Sequence, residues 1–219
     1  MFFPLASEAP RSWFPFTNII IIAVNIAIFA VTAYQPNFQE ILSTYGAVPR
    51  RPAVLSLITS AFLHVDIFHV LLNMWFLWVF GNKVEDKLGH FLYLFFYIAG
   101  GMFATVVYSL INLGSDIPVV GASGAVSAVL RFYAFVFSRY KIKVFYIIYF
   151  RPGLAMVSAP WLLGFFFFMN LLYSVLLLDK FDGVAYTAHV AGFLFGLVVS
   201  IISVAFSFMS RPQKYERAL

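Results

Sequence analysis

Val119-Val120-Gly121-Ala122-Ser123-Gly124-Ala125-Val126 opens an apolar run that lasts to Ser138 and holds one charge, Arg131. Small residues surround a serine at the point where loop gives way to helix, and the helix that follows is short for a membrane span. From Ser123 to Ser138 there are 16 residues, about 24 Å of helix against a hydrocarbon core of ~30 Å. If its far end reaches an interface, Ser123 begins several ångströms below the opposite surface. Non-helical backbone at that depth is tolerated only where it is buried in protein or lines a water-filled cavity. A serine exposed to water inside a membrane is what a hydrolase acting there requires.

Composition makes the membrane part of this reading firm. The chain is 63% hydrophobic, 20% aromatic and 11% charged, with a mean hydropathy of +0.92, and no soluble domain of this size covers so much apolar surface with so little charge. There is no cysteine, which excludes disulfides and thiolate metal sites. A net charge of +5 is expected to mark loops on one side of the membrane rather than a nucleic-acid surface.

Uncharged stretches long enough to cross a bilayer predict six spans, near 17–35, 67–82, 90–111, 122–138, 159–178 and 187–208. The organisation expected is a short tail over 1–16, an all-α membrane domain over 17–208 and a second tail over 209–219. Met1-Phe2-Phe3-Pro4 has no basic region of a cleavable signal, so the first span is expected to be retained. Residues 139–158, where Arg139, Lys141, Lys143 and Arg151 punctuate an aromatic stretch, predict an interfacial element. Pro160-Trp161 suits a helix start at the membrane surface.

Six spans put both termini on one side, with Arg11, Lys83, Lys87, Arg139, Lys141, Lys143, Arg151, Arg211, Lys214 and Arg217; the other side holds Arg50, Arg51 and Lys180. This bias predicts cytoplasmic termini, with Ser123 and His189 near the outer side.

Polar residues inside spans are functional candidates because each is costly to bury. On the second, His64, His69 and Asn73 form H-x4-H-x3-N, and the i, i+4 spacing sets His69 and Asn73 one turn apart on one face. They serve either as hydrogen-bonding glue between helices or as donors aimed at one spot. A zinc site is poorly supported, since no intramembrane carboxylate joins the histidines and HExxH is missing. On the sixth span, His189, Gly192 and Gly196 share a face at i, i+3 and i+7. On the fourth, Ser123, Ser127 and Leu130 do the same, and packing the two faces brings the serine toward the imidazole.

Taken in order, H-x4-H-x3-N, Gly121-Ala122-Ser123-Gly124-Ala125 and Ala188-His189-Val190-Ala191-Gly192 closely resemble the motifs of the rhomboid intramembrane serine proteases, with supporting similarity from about residue 45 to 200. The resemblance implies a six-helix rhomboid-like bundle that opens outward and needs no cofactor or metal. Ser123 would be the nucleophile and His189 its general base, acting as a dyad. His69, Asn73 and the Ser123 backbone N–H would form the oxyanion hole, and His64 would order the outer loop beside it. Gly121 and Gly124 would shape the turn, while Gly192 would allow the sixth helix close to the fourth. The substrates implied are transmembrane proteins cut within or near a span, in the bilayer. The membrane expected is a bacterial inner membrane with both termini cytoplasmic. The sequence leaves oligomeric state and substrate identity open.

Three positions depart from the family's pattern. Leu55-Ser56 stands where Trp-Arg is frequent, so the first outer loop must be anchored differently. Ser127 replaces an aromatic that often stacks on the histidine, so the ring must be oriented by another group. Arg131 stands where glycine is usual, and its charge needs a partner; Glu85, Asp86 or the headgroups on its own side are the expected ones, with Glu85 favoured by the resemblance. An inactive rhomboid-like protein that escorts membrane clients is the alternative in another class. A six-span transporter would call for intramembrane carboxylates or broken helices in repeated halves, which the sequence lacks.

Overall fold

The computed structural model describes residues 2–51, 53–177 and 184–209. Helices dominate: α1 (Phe16–Thr32), α2 (Phe38–Tyr45), α3 (Ser56–Thr59), α4 (Ile67–Phe76), α5 (Asn82–Leu88), α6 (His90–Ile111), α7 (Ser123–Val136), α8 (Ala159–Leu177) and α9 (Tyr186–Met209). A π-turn over Leu77–Gly81 joins α4 to α5, so that Ile67–Leu88 runs as one rod. Four helices are long and apolar enough to cross a membrane: Ile67–Leu88, His90–Ile111, Ala159–Leu176 and Tyr186–Phe206. Phe16–Thr32 and Ser123–Val136 are apolar but shorter. The expected starts at 67, 90 and 159 coincide with helix starts, and the run after Ser123 is shorter still than expected, 14 residues, or about 21 Å.

The π-turn has an identifiable cause. Asn18 of α1 donates its amide N–H to the Leu77 carbonyl at 2.9 Å and accepts from the Tyr93 hydroxyl at 2.7 Å. A side chain entering the i to i−4 ladder widens it. Gly81 supplies the room, because a Cβ there would overlap the Asn18 amide oxygen.

Glu85, almost wholly buried, accepts from the backbone N–H groups of Thr17 at 2.9 Å and Asn18 at 2.7 Å, and also meets His90. It therefore caps α1, whose first N–H groups have no partner within the helix. Asp86 accepts from Ser12 and Trp13 N–H at 2.8 and 2.6 Å. Neither carboxylate pairs with Arg131. That expectation is corrected: the Arg131 guanidinium lies over the rings of Phe193, 5.4 Å from its centroid, and Phe135, at 5.8 Å. Both acids are already engaged by main-chain donors, and an arginine fits an aromatic face better than an ammonium does.

The all-α expectation is corrected in one place. Phe2–Ser7 (β1), Lys141–Ile148 (β2) and Arg151–Ser158 (β3) form a three-stranded antiparallel sheet in the order β1-β2-β3. Lys141 pairs with Ser158 and Ile148 with Arg151, while Phe2 pairs with Tyr146 and Ser7 with Ile142. Residues 139–158 are thus chiefly a hairpin. Ile142 and Val144 are buried between exposed Lys141 and Lys143, the period-2 alternation of a strand with one covered face. β3 runs directly into α8. β1 is tied to α4 by Trp75, whose indole N–H donates to the Pro4 carbonyl at 2.7 Å, and to α7 by a Ser7–Tyr133 hydroxyl contact.

The core forms where α7 is enclosed. Ten of its residues, among them Gly124, Ala125, Ala128 and Leu130, are buried. A Cβ on Gly192 or Gly196 of α9 would overlap the carbonyl oxygens of Gly124 and Ala128. On the opposite flank, a Cβ on Gly100 of α6 would crowd that of Ala128 at 2.9 Å. Small residues let these backbones meet, as in tightly packed membrane helices.

Candidate active site

Ser123 is the first residue of α7, and His189 lies in the first turn of α9. Their separation of 66 residues closes to a contact of 2.7 Å between Ser123 Oγ and His189 Nε2. The Gly192/Gly124 and Gly196/Ala128 contacts hold the two helices at backbone distance, so short side chains suffice to meet.

On its other side, His189 Nδ1 lies 2.7 Å from Asn170 Oδ1. Asn170, a buried residue of α8, was not picked out from the sequence. Its amide N–H donates to the Phe166 carbonyl at 2.8 Å, which fixes its orientation. Tyr186 adds a ring edge-on to the imidazole at 6.2 Å. The aromatic that Ser127 lacks is thus replaced by a hydrogen bond and a different ring. A lone asparagine inside the apolar run of α8 was itself a signal, since polar groups at membrane depth demand partners.

His64, His69 and Asn73 gather beside the serine. Asp66 caps α4 by accepting from His69 N–H at 2.9 Å. The fully buried His64 ring receives the Asn73 amide at 3.2 Å and the Ala122 N–H at 3.4 Å, both on Nε2. Two donors on one nitrogen require it to be unprotonated, so Nδ1 carries the proton. Burial, and then the neighbouring His69, lower the His64 pKa from 6.5 to about 3, against the opposing pull of the Phe62 carbonyl and Asp66. The His64 and His69 rings meet edge to face at 5.0 Å.

Gly121 turns the chain into α7 with a φ of +123°, a conformation side chains rarely tolerate. A Cβ there would also sit 2.6 Å from His69 Cε1 and Nε2. The glycine thereby admits the His69 ring to within reach of Ser123. Its N–H donates to the Ser60 carbonyl at 2.8 Å. The outer loop is pinned further by paired backbone bonds between Ala47 and Val119, and by Arg50, which bonds the Gly114 carbonyl and Asp116 at 2.8 Å each. These contacts supply the anchoring that Leu55-Ser56 cannot.

The whole arrangement is a hydroxyl bonded to an imidazole at a helix N-terminus, with amide and imidazole donors alongside. Comparison with known proteins gives it a lineage. The rhomboid domain model matches residues 51–206. Rhomboid protein 1, mitochondrial, of Saccharomyces cerevisiae is 30% identical over 188 residues, covering 81% of this chain and 50% of that protein. Presenilin-associated rhomboid-like protein, mitochondrial, of Homo sapiens is 25% identical over 188 residues, covering 81% of this chain and 45% of that one. RHOMBOID-like protein 12, mitochondrial, of Arabidopsis thaliana is 32% identical over 125 residues, covering 50% and 36%. The chain spans about half or less of the length of these relatives. They are mitochondrial by name, which overturns the expectation of a bacterial inner membrane with cytoplasmic termini; a loop-charge bias orders the two sides of a membrane but does not identify the membrane. The chain belongs to the rhomboid family of membrane proteins.

Proposed function

We propose that this rhomboid-family chain is an intramembrane serine endopeptidase that cleaves membrane-protein substrates within or near a transmembrane segment. The observation that carries this reading is the 2.7 Å contact of Ser123 Oγ with His189 Nε2. His189 takes the hydroxyl proton as Ser123 attacks a substrate carbonyl carbon, and a tetrahedral intermediate forms. The negative oxygen is held by the Ser123 backbone N–H, the His69 imidazole and the free amide hydrogen of Asn73. His189 then returns the proton to the leaving amine, and water, activated by the same imidazole, hydrolyses the acyl-enzyme. His64 has its acceptor nitrogen engaged by Asn73 and Ala122, so its part is to hold those two groups.

A hydrogen-bonded helix presents no free carbonyl to a serine, so the substrate segment must unwind at the cut. The reading takes six helices as spans, adding Phe16–Thr32 and Ser123–Val136 to the four longer ones, within a membrane domain over 17–208 flanked by tails over 1–16 and 209–219. The shortness of α7 is then functional, because a helix too short to cross the hydrocarbon core begins at Ser123 below the membrane surface. The names of the relatives point to a mitochondrial membrane for this chain.

A fluorophosphonate probe tests the reading on purified protein. Labelling is expected on wild type, and none on Ser123→Ala or His189→Ala. Equal labelling of wild type and Ser123→Ala would end the proposal.

A further inference from the structure

Asn170 stands 19 residues before His189, on a helix made mostly of phenylalanine, leucine and other apolar groups. Its burial would be costly without partners, and both halves of its amide have one. The NH2 group donates to the Phe166 carbonyl at 2.8 Å within α8, and the oxygen faces His189 Nδ1 at 2.7 Å. Reversing the amide would set an NH2 group against the imidazole and a carbonyl oxygen against the Phe166 carbonyl oxygen. The helix itself thus fixes Oδ1 as the atom presented to His189.

An oxygen acceptor on Nδ1 dictates where the imidazole proton resides. Nδ1 must carry the hydrogen, and Nε2 is left bare, with its lone pair toward Ser123 Oγ at 2.7 Å. That is the tautomer a general base needs; the opposite one would turn an N–H toward the hydroxyl and could accept nothing from it. We propose that Asn170 is a positioning residue that selects the base-competent tautomer and ring orientation of His189, so that α8 contributes a third, orienting member beside Ser123 and His189. An amide does this without placing a negative charge at membrane depth, where a carboxylate would be expensive. It cannot stabilise an imidazolium as a carboxylate does, so its contribution is orientation. Cysteine proteases place an asparagine in the corresponding role on an unrelated fold.

The inference rests on the protease reading for its kinetic consequence and on geometry alone for the tautomer, and the two separate experimentally. With a single-span reporter in proteoliposomes, Asn170→Leu, close in size but without an acceptor, is expected to lower kcat about 10- to 100-fold with KM within about twofold. Asn170→Ala should behave alike, which guards against a misfit of leucine. Asn170→Asp, which restores an oxygen acceptor, should recover most of the lost kcat. In parallel, 15N spectra of histidine-labelled protein in nanodiscs, with His189 assigned by its loss in His189→Ala, should show a protonated Nδ1 and a bare Nε2 in wild type and a changed pattern in Asn170→Leu. A folded Asn170→Leu with wild-type kcat and an unchanged His189 pattern overturns the proposal. Should wild type cleave nothing and label with nothing, the protease reading falls, and the nitrogen pattern still decides for or against Asn170 by itself.

Discussion

Gly192 of α9 rests against the Gly124 carbonyl of α7 so closely that no Cβ can be accommodated between them. The contact lies one turn below the Ser123–His189 hydrogen bond and sets the distance between the helices that bear it. Gly192→Ala must push main chain, which cannot rotate away as a side chain can. A loss of about 1–3 kcal/mol is expected, read as a lowered Tm in detergent, with reporter cleavage falling further than Tm alone explains. Unchanged stability would show that the two helices are free to separate.

Asn73 gives one amide hydrogen to His64, and in the proposed mechanism the other is an oxyanion donor. Asn73→Ala is expected to cut kcat by about 10²-fold or more with a smaller change in KM, because an oxyanion donor matters most in the transition state. A change confined to KM would assign Asn73 to substrate binding instead.

His64 contributes to the acid sensitivity of the fold. Its pKa is about 3 in the folded protein and near 6.5 when unfolded, so between these values the unfolded chain binds the extra proton. Stability is complete above pH 6.5 and is lost as pH falls from there toward 3, with a slope approaching ~1.4 kcal/mol per pH unit. Thermal unfolding across that window should show the slope in wild type and a flatter one in His64→Phe.

Glu85 and Arg131 should respond very differently to substitution. Glu85→Ala leaves the Thr17 and Asn18 N–H groups without their acceptor and is expected to cost about 2 kcal/mol or more. Arg131→Leu exchanges aromatic stacking for apolar packing and should stay within about 1 kcal/mol of wild type. A steep loss for Arg131→Leu beside a mild one for Glu85→Ala would contradict both assignments.

The β2–β3 turn consists of Tyr149 and Phe150 at φ values of +48° and +62°. Two-residue turns of this hand favour Asn-Gly, so Tyr149→Asn combined with Phe150→Gly should raise stability by about 1 kcal/mol. Both side chains are almost fully exposed, so little packing is lost, and a fall in Tm would show that they have a partner of their own.

Several helix starts were legible because hydrophobic runs and their polar edges are local properties of the chain. The meeting of Ser123 with His189 was legible as well, since glycine and alanine beside each imply close packing whatever the partner. Asn170 was not, because a single asparagine does not reveal that its acceptor will meet a ring on another helix. The sheet was missed for a different reason. Its Lys141-Ile142-Lys143-Val144 alternation was present, yet the aromatic run beyond it and the surrounding membrane character favoured an interfacial element. For Arg131 the charge suggested Glu85, Asp86 or the headgroups; main-chain donors of residues 12–18 engage both acids, and the guanidinium lies over two phenylalanine rings.

Since α7 and α9 meet through main-chain atoms, the spacing between their axes does not depend on rotamer choice or on the side chains that face outward. The outward-facing positions of α9 are therefore free to drift, and the membrane around them to vary in thickness or fluidity, while the serine–histidine distance is preserved. Adaptation to a new bilayer and preservation of the serine–histidine contact are, in this fold, assigned to different atoms.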